Sequence, residues 1–264
     1  MTDKNRNVHN IGSGRRYIIG DAVEELRNIE SPADLICLDD AWARPQRANQ
    51  FGVMYPTHRF SESESQRASD ESTTTIEILD ACWEALTEGG WLIADADDWL
   101  LPRLIEYLVR EWGDVVEDYK GGGYRRIGGV TYIAKSTKRP DRSTAGEYFT
   151  NGGYPVVFAH KGSTDRKSST SARQIAHRQH DKFGWGSVKP IKPYKKWIEG
   201  LLTEGDHLVV PCAGTAPAAI AAERVFGTAA RYTCIDIEKE AFEAFQIRRQ
   251  EQLDSIQENI KPKF

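Results

Sequence analysis

Long apolar runs are missing from this chain. No stretch of about eighteen consecutive apolar residues occurs, so no membrane-spanning helix is expected. The opening ten residues are polar and hold no apolar segment, which argues against a secretory signal. Cysteine is scarce: Cys37, Cys82, Cys212 and Cys234 lie far apart with no CxxC spacing. Neither a disulfide framework nor a zinc site is therefore expected. Three of the four sit in apolar surroundings, the setting of reduced, buried thiols, so a cytoplasmic location is expected. No GxGxxG follows any strand-like run, which argues against a dinucleotide-binding oxidoreductase.

What the chain does have is a lopsided charge. Between positions 120 and 196, seventeen Lys or Arg stand against four Asp or Glu, a local +13 in a chain of net −4. Such a division suggests a surface for a polyanion, because each neutralised phosphate releases condensed counterions. A solvated basic loop is the plainer alternative. His177 and His180 fall in this region, but two histidines alone make no metal site.

Apolar patterning gives the order of elements. Residues 17–20 read as a strand and 22–29 as a helix. The run 33–38 ends abruptly in Asp39 and Asp40, the pattern of a buried parallel strand. Helices are expected over 75–86, 100–112, 193–202 and 217–226, with a long charged one after 239. Strands are expected over 91–94, 115–119, 130–134, 154–159, 207–210 and 232–237. Gly121, Gly122 and Gly123 suggest a hairpin turn. Two polar stretches interrupt the alternation: an insertion over 43–75 and a basic, flexible loop over 162–187. The alternation predicts one α/β domain across 1–264, doubly wound on a mostly parallel sheet with both faces covered.

Ligands in such folds bind beyond the carboxyl ends of the strands. Three strand ends stand out. After the strand at 207–210 come Pro211, Cys212, Ala213, Gly214 and Thr215, small residues that admit close backbone approach before a helix N-terminus. About twenty residues on, Asp236 ends the next strand, where an acid can accept from ribose hydroxyls. Asp39 and Trp42 end the 33–38 run; a carboxylate can hold an amino group while an indole stacks on a planar ring.

In this order the motifs resemble the β-group of DNA amino-methyltransferases, which modify adenine N6 or cytosine N4. That family runs GDxxxxL…DLIxxDPPY, then a KP segment, a DPFxGxGT loop and a GIEI strand end. Here the corresponding places read Gly20-Asp21-Ala22-Val23-Glu24-Glu25-Leu26, Asp34-Leu35-Ile36-Cys37-Leu38-Asp39-Asp40-Ala41-Trp42, Lys189-Pro190, Val210-Pro211-Cys212-Ala213-Gly214-Thr215-Ala216 and Cys234-Ile235-Asp236-Ile237. The stretch 86–93 looks like the family's "LKPGGxLxI" segment, and 154–162 like its late strand ending in Lys161-Gly162. The likeness covers roughly residues 15–250. It departs where Asp40 and Ala41 stand for two prolines, Val210 for an acid and Ala216 for a glycine.

The resemblance implies a Rossmann-like fold with permuted motif order and S-adenosyl-L-methionine as cofactor. Pro211, Cys212, Ala213, Gly214 and Thr215 would wrap the methionine part and Asp236 would bind the ribose. Asp21 would lie near the adenine ring, and Lys189 and Pro190 would line the cofactor pocket. Asp39 would hold the exocyclic amino group of a flipped base and Trp42 would stack on it, with Asp39 leaning toward adenine. Double-stranded DNA is the expected partner, contacted by the 43–75 and 162–187 segments, with no membrane and a homodimer left open. A restriction-modification setting would suit such an enzyme. A methyltransferase-fold enzyme on another substrate, or a silent nucleic-acid-binding relative, are the alternatives.

Overall fold

In the computed structural model, residues 6–39, 75–96, 98, 101–113, 121–135, 139, 152–179, 182–185 and 188–260 are described. Trp42, His180, the expected strand at 115–119 and nearly all of the 43–75 insertion lie outside them.

The sheet is built from strands whose composition suits burial on both faces. β3 (Ala33–Leu38) and β8 (His207–Pro211) are almost wholly buried, as expected for central parallel strands. With β1 (Asn7–Gly12), β2 (Arg15–Ile19), β4 (Leu86–Asp95), β5 (Gly123–Tyr132), β6 (Gly153–His160), β7 (Arg173–Ala176) and β9 (Arg231–Asp236) they form one nine-stranded sheet. Its order is β1-β2-β9-β8-β3-β4-β6-β5-β7. From β2 to β4 every neighbour is parallel. β1 and β6 run antiparallel to their neighbours, and β7 pairs parallel with β5.

Helices cover both faces. On one lie α4 (Ile191–Leu201), α5 (Pro217–Phe226) and α6 (Lys239–Ile260), which contribute Tyr194, Trp197, Ile220, Phe242 and Phe245 to one core. On the other lie α1 (Ala22–Arg27), α2 (Thr75–Ala85) and α3 (Leu101–Trp112), which contribute Leu26, Leu79, Leu104 and Leu108 to a second. Alternation along β3 explains the split: Leu35 and Cys37 enter the first core, Ile36 and Leu38 the second. The expected α/β sandwich with a mostly parallel sheet is therefore present.

The connections fix where a ligand can sit. β8 passes through α5 to β9 on one side, and β3 passes through α2 to β4 on the other. β8 and β3 are themselves neighbours, so the chain turns away in opposite directions between them. That crevice is the topological switch point, open at the carboxyl ends of the strands.

One expectation differs from the structure, and one strand carried no signal in the sequence. The 162–187 segment is not all loop: β7 forms within it, because Arg173 to Ala176 find the free edge of β5. β1 was not legible, since Asn7-Val8-His9-Asn10 is too polar to register as a strand; antiparallel pairing with β2 supplies its hydrogen bonds. The strand that would lead into the expected turn at Gly121, Gly122 and Gly123 lies outside the described residues. β5 starts at Gly123, and a Cβ there would sit 2.1 Å from the Gly113 carbonyl, so the glycine permits a close approach of two backbones.

Basic residues also divide between the two sheet edges. Arg166 pairs with Asp34 at 2.7 Å and contacts Leu201 O and Asp206 beside it. Asp34 and Asp206 flank the amino-terminal ends of β3 and β8, so Arg166 fastens the edge opposite the crevice. His177, Arg178 and Lys182 follow β7 and lie toward the carboxyl edge.

Candidate active site

Five parallel strands bring their carboxyl ends to one edge. Asp236 ends β9, Cys212 follows β8, Asp39 follows β3 and Asp95 ends β4. Between them opens a pocket with about 650 Å³ of empty space, lined among others by Cys37, Asp39, Asp95, Trp185, Lys189 and Tyr194. Its other wall is Val210, Cys212 to Thr215, Pro217, Asp236 and Glu238.

The 212–216 turn has an unusual backbone. Cys212, Gly214 and Ala216 take φ of 52°, 50° and 45°, each in the left-handed region. Cys212 and Ala216 hold such angles against their Cβ atoms, a cost that persists only where surroundings over-determine the conformation. The surroundings are visible. Asp236 accepts from the Gly214 N–H at 2.7 Å and from the Glu238 N–H at 3.0 Å, one oxygen each. Tyr17 donates its hydroxyl to Gly214 O at 3.0 Å, and Ala213 N–H donates to Ile235 O at 2.9 Å. Pro217 then opens α5 in its first turn, where its missing N–H costs nothing.

Burial pushes the Asp236 carboxyl up to about 6, against the lowering effect of the two N–H donors. The folded protein thus holds this proton more tightly than an unfolded chain, whose value lies near 3.8. Asp236 therefore contributes most stability below about pH 4 and loses it as pH rises through about 6. Asp236→Asn cannot ionise and is expected to flatten that decline in melting temperature between about pH 4 and 6. A slope identical to that of the native protein would contradict this.

Across the crevice, a lysine joins two acids. Lys189 Nζ lies 2.8 Å from Asp39 Oδ1 and 2.6 Å from Asp95 Oδ2. It also sits 4.5 Å from the centre of the Tyr154 ring. Tyr194 donates its hydroxyl to the same Asp95 oxygen, while the buried Asp95 Oδ1 has no hydrogen-bond partner among the described residues. Asp95 is 4% exposed; the Asp39 side chain, at 27%, is the most exposed of the two acids and the lysine.

Of the residues singled out from sequence, the structure brings Asp39, Lys189, Cys212, Ala213, Gly214, Thr215 and Asp236 into this one pocket. Asp21 is not among its lining residues. Its side chain caps α1, accepting from Val23 N–H at 2.9 Å and Glu24 N–H at 3.1 Å. Pro190 caps α4 and Pro211 ends β8, both buried outside the lining. Trp42 lies outside the described residues.

The sequence reading missed Asp95, Tyr194, Trp185 and Glu238. A signal for Asp95 was present: it terminates an apolar strand as Asp39 does, one strand further along the sheet. Tyr194 is five positions beyond Lys189, and only the first turn of α4 turns it back toward Asp95. Nothing local marks Trp185, which reaches the 212–216 turn from a distant loop.

The pocket suits S-adenosyl-L-methionine on its own features. The turn of small residues admits backbone approach, α5 starts at the pocket wall, and two acids that line it, Asp236 and Glu238, are of the type that accepts from hydroxyls.

No family model and no curated protein sequence matches the chain. Solved structures do. A complex of M1.HpyAVI with SAM aligns over 88% of this chain and 98% of that one, with TM-score 0.59 at 12% identity. The cytosine-N4-specific PvuII DNA methyltransferase aligns over 92% and 91%, with TM-score 0.58 at 13% identity. A putative DNA modification methylase of Thermus thermophilus, TTHA0409, complexed with S-adenosyl-L-methionine, aligns over 89% and 93%, with TM-score 0.51 at 12% identity. The chain thus has, along nearly its whole length, the α/β fold of solved DNA methyltransferases.

Proposed function

We propose that this protein is an S-adenosyl-L-methionine-dependent DNA methyltransferase that modifies the exocyclic amino nitrogen of a flipped adenine or cytosine. The observation that carries the reading is the meeting of Gly214, Asp236 and Asp39 in one pocket at the switch point, although they lie far apart in sequence. The fold shared with solved DNA methyltransferases, two of them bound to SAM, supports it. The segment bearing Asp39 precedes the 212–216 turn in the chain, the permuted order that the resemblance implies.

In this reading Cys212, Ala213, Gly214 and Thr215 hold the amino-acid end of the cofactor, and Asp236 and Glu238 its ribose. Bound there, the cofactor supplies an electrophilic methyl group. Asp39 accepts a hydrogen bond from the target amino group, which orients the nitrogen lone pair and raises its electron density. Lys189 and Asp95 hold Asp39 in place from behind. The bond that the nitrogen would form to the methyl carbon is balanced by breaking of the methyl–sulfur bond, which would release a neutral thioether, and the nitrogen's surplus proton would pass to solvent. No covalent link to the protein is needed.

DNA is recognised in this reading by phosphate contacts from the 162–187 segment, with His177, Arg178 and Lys182 on the relevant edge and Arg166 on the other. Such contacts position the duplex without reading its sequence. The 43–75 insertion would face the same cleft, and the chain would act as a single domain over 1–264. A cytoplasmic location fits both its buried cysteines and its substrate.

The test is incubation with labelled S-adenosyl-L-methionine and mixed-sequence duplex DNA, followed by nucleoside mass spectrometry. N6-methyladenine or N4-methylcytosine is the expected product. Label appearing only in RNA or small molecules would overturn the substrate. Salt-sensitive DNA binding with no cofactor bound in calorimetry would leave a silent binding protein instead.

A further inference from the structure

Behind the 212–216 turn lies an arginine that neither the resemblance nor the reaction requires. Arg248, in α6, is fully buried. Its guanidinium donates to Thr215 Oγ1 at 2.7 Å, to the Lys189 carbonyl at 2.6 Å and to Gln179 Oε1 at 3.1 Å. Among the described residues its Nε has no acceptor and no carboxylate forms an ion pair with it. The Phe183 ring lies 5.6 Å away. Burial lowers its pKa to about 10, which leaves it charged at neutral pH.

A buried cation facing only neutral acceptors is costly to keep. An anion arriving nearby would offset that cost, and Thr215 shows where it would arrive. Thr215 is 2% exposed, lines the pocket and precedes the N-terminus of α5. A threonine hydroxyl has one proton to give. Because the Thr215 oxygen already accepts from Arg248, that proton is directed away from the guanidinium. The hydroxyl, the helix N-terminus and the guanidinium behind them together favour negative charge at one spot. The pocket acids Asp39, Asp95, Asp236 and Glu238 would repel an anion everywhere else.

We infer that Arg248 is a positioning residue which, through the Thr215 hydroxyl, reads the carboxylate of the cofactor's amino-acid end. The inference rests on the cofactor reading above. It also accounts for Val210 where the resembling family carries an acid for the ammonium group: here the amino-acid end is held by its negative rather than its positive group. The same guanidinium holds the Lys189 carbonyl, so cofactor seating and the Asp39–Lys189 pair share one anchor.

Calorimetry with S-adenosyl-L-methionine and its decarboxylated analogue tests this without any methyl transfer. The native protein is expected to prefer the complete cofactor by about tenfold or more, the worth of a charge-assisted hydrogen bond. Arg248→Gln and Thr215→Val should each reduce that preference to near unity, and Arg248→Lys should retain part of it. Thr215→Val carries the test if Arg248→Gln does not fold. Equal affinity of the native protein for both compounds, or an undiminished preference in Thr215→Val, overturns the role of Arg248 while leaving the cofactor reading intact. If neither compound binds, both fall.

Discussion

Lys189→Met is expected to lower the melting temperature at neutral pH by on the order of 10 °C, the effect of removing one partner from a buried ion pair at about 3–5 kcal/mol. The ammonium sits between Asp39 and Asp95, 2.8 and 2.6 Å from their oxygens, with its side chain 7% exposed. Without it, two carboxylates face each other, and among the described residues Asp95 keeps only the Tyr194 hydroxyl as side-chain partner. Burial already raises the Asp95 carboxyl above its ordinary value; Lys189 opposes that rise and Asp39 adds to it. Losing Lys189 removes the opposing influence, so the folded-state value climbs further. An acid whose value is raised by folding contributes stability that is complete below its unfolded value and is lost as pH rises through the folded one. The deficit of Lys189→Met should therefore be smallest near pH 4 and largest above neutrality. Adding Asp95→Asn should recover part of it at pH 8. Melts followed by circular dichroism at several pH values decide the matter. A pH-independent deficit, or none, would show that the lysine does not hold the acids.

Asp39→Ala is expected to cut the rate of methyl transfer by about 10²–10³-fold, the loss that follows removal of one preorganised hydrogen-bonding group. The fold should survive, because Lys189 keeps Asp95 as partner and Asp39 is the least buried of the three. Cofactor binding should persist too, since the 212–216 turn is held by Asp236, Tyr17 and Ile235 rather than by Asp39. Asp39→Asn, which still offers a carbonyl oxygen, should fall between the two. Single-turnover rates measured beside calorimetric cofactor affinities separate chemistry from binding. Native rates in Asp39→Ala would remove this residue from the reaction.

The central architecture was readable because it depends on burial. Apolar runs such as Leu35-Ile36-Cys37-Leu38 and Leu208-Val209-Val210 have no alternative to the middle of a sheet, and the acids Asp39 and Asp236 at the ends of β3 and β9 mark one edge. Peripheral strands were not readable in the same way. β7 owes its form to the edge of β5, and its Arg173-Gln174 start carries no strand signature of its own. The site divided along similar lines. Residues at strand ends declared themselves by position, whereas Trp185 reaches the pocket from a loop and Arg248 backs its wall from a charged helix. In α6, Arg248 and Arg249 are adjacent and identical. Only packing sends one inward to Thr215 and the other to Glu223 at 2.8 Å. Asp21 shows the converse: a motif residue whose side chain is occupied in capping a helix.

The position of β8 and β9 between β2 and β3 has a consequence for biosynthesis. As the polypeptide leaves the ribosome, β2 has β1 for company and β3 has β4, but the two halves share no neighbour until the stretch beyond residue 207 emerges. Until then two interior strand flanks stand bare, the kind of surface that invites association with other nascent chains. Completing the sheet joins segments some two hundred positions apart, so closure is a late event of high contact order. The crevice between β8 and β3 cannot form before it.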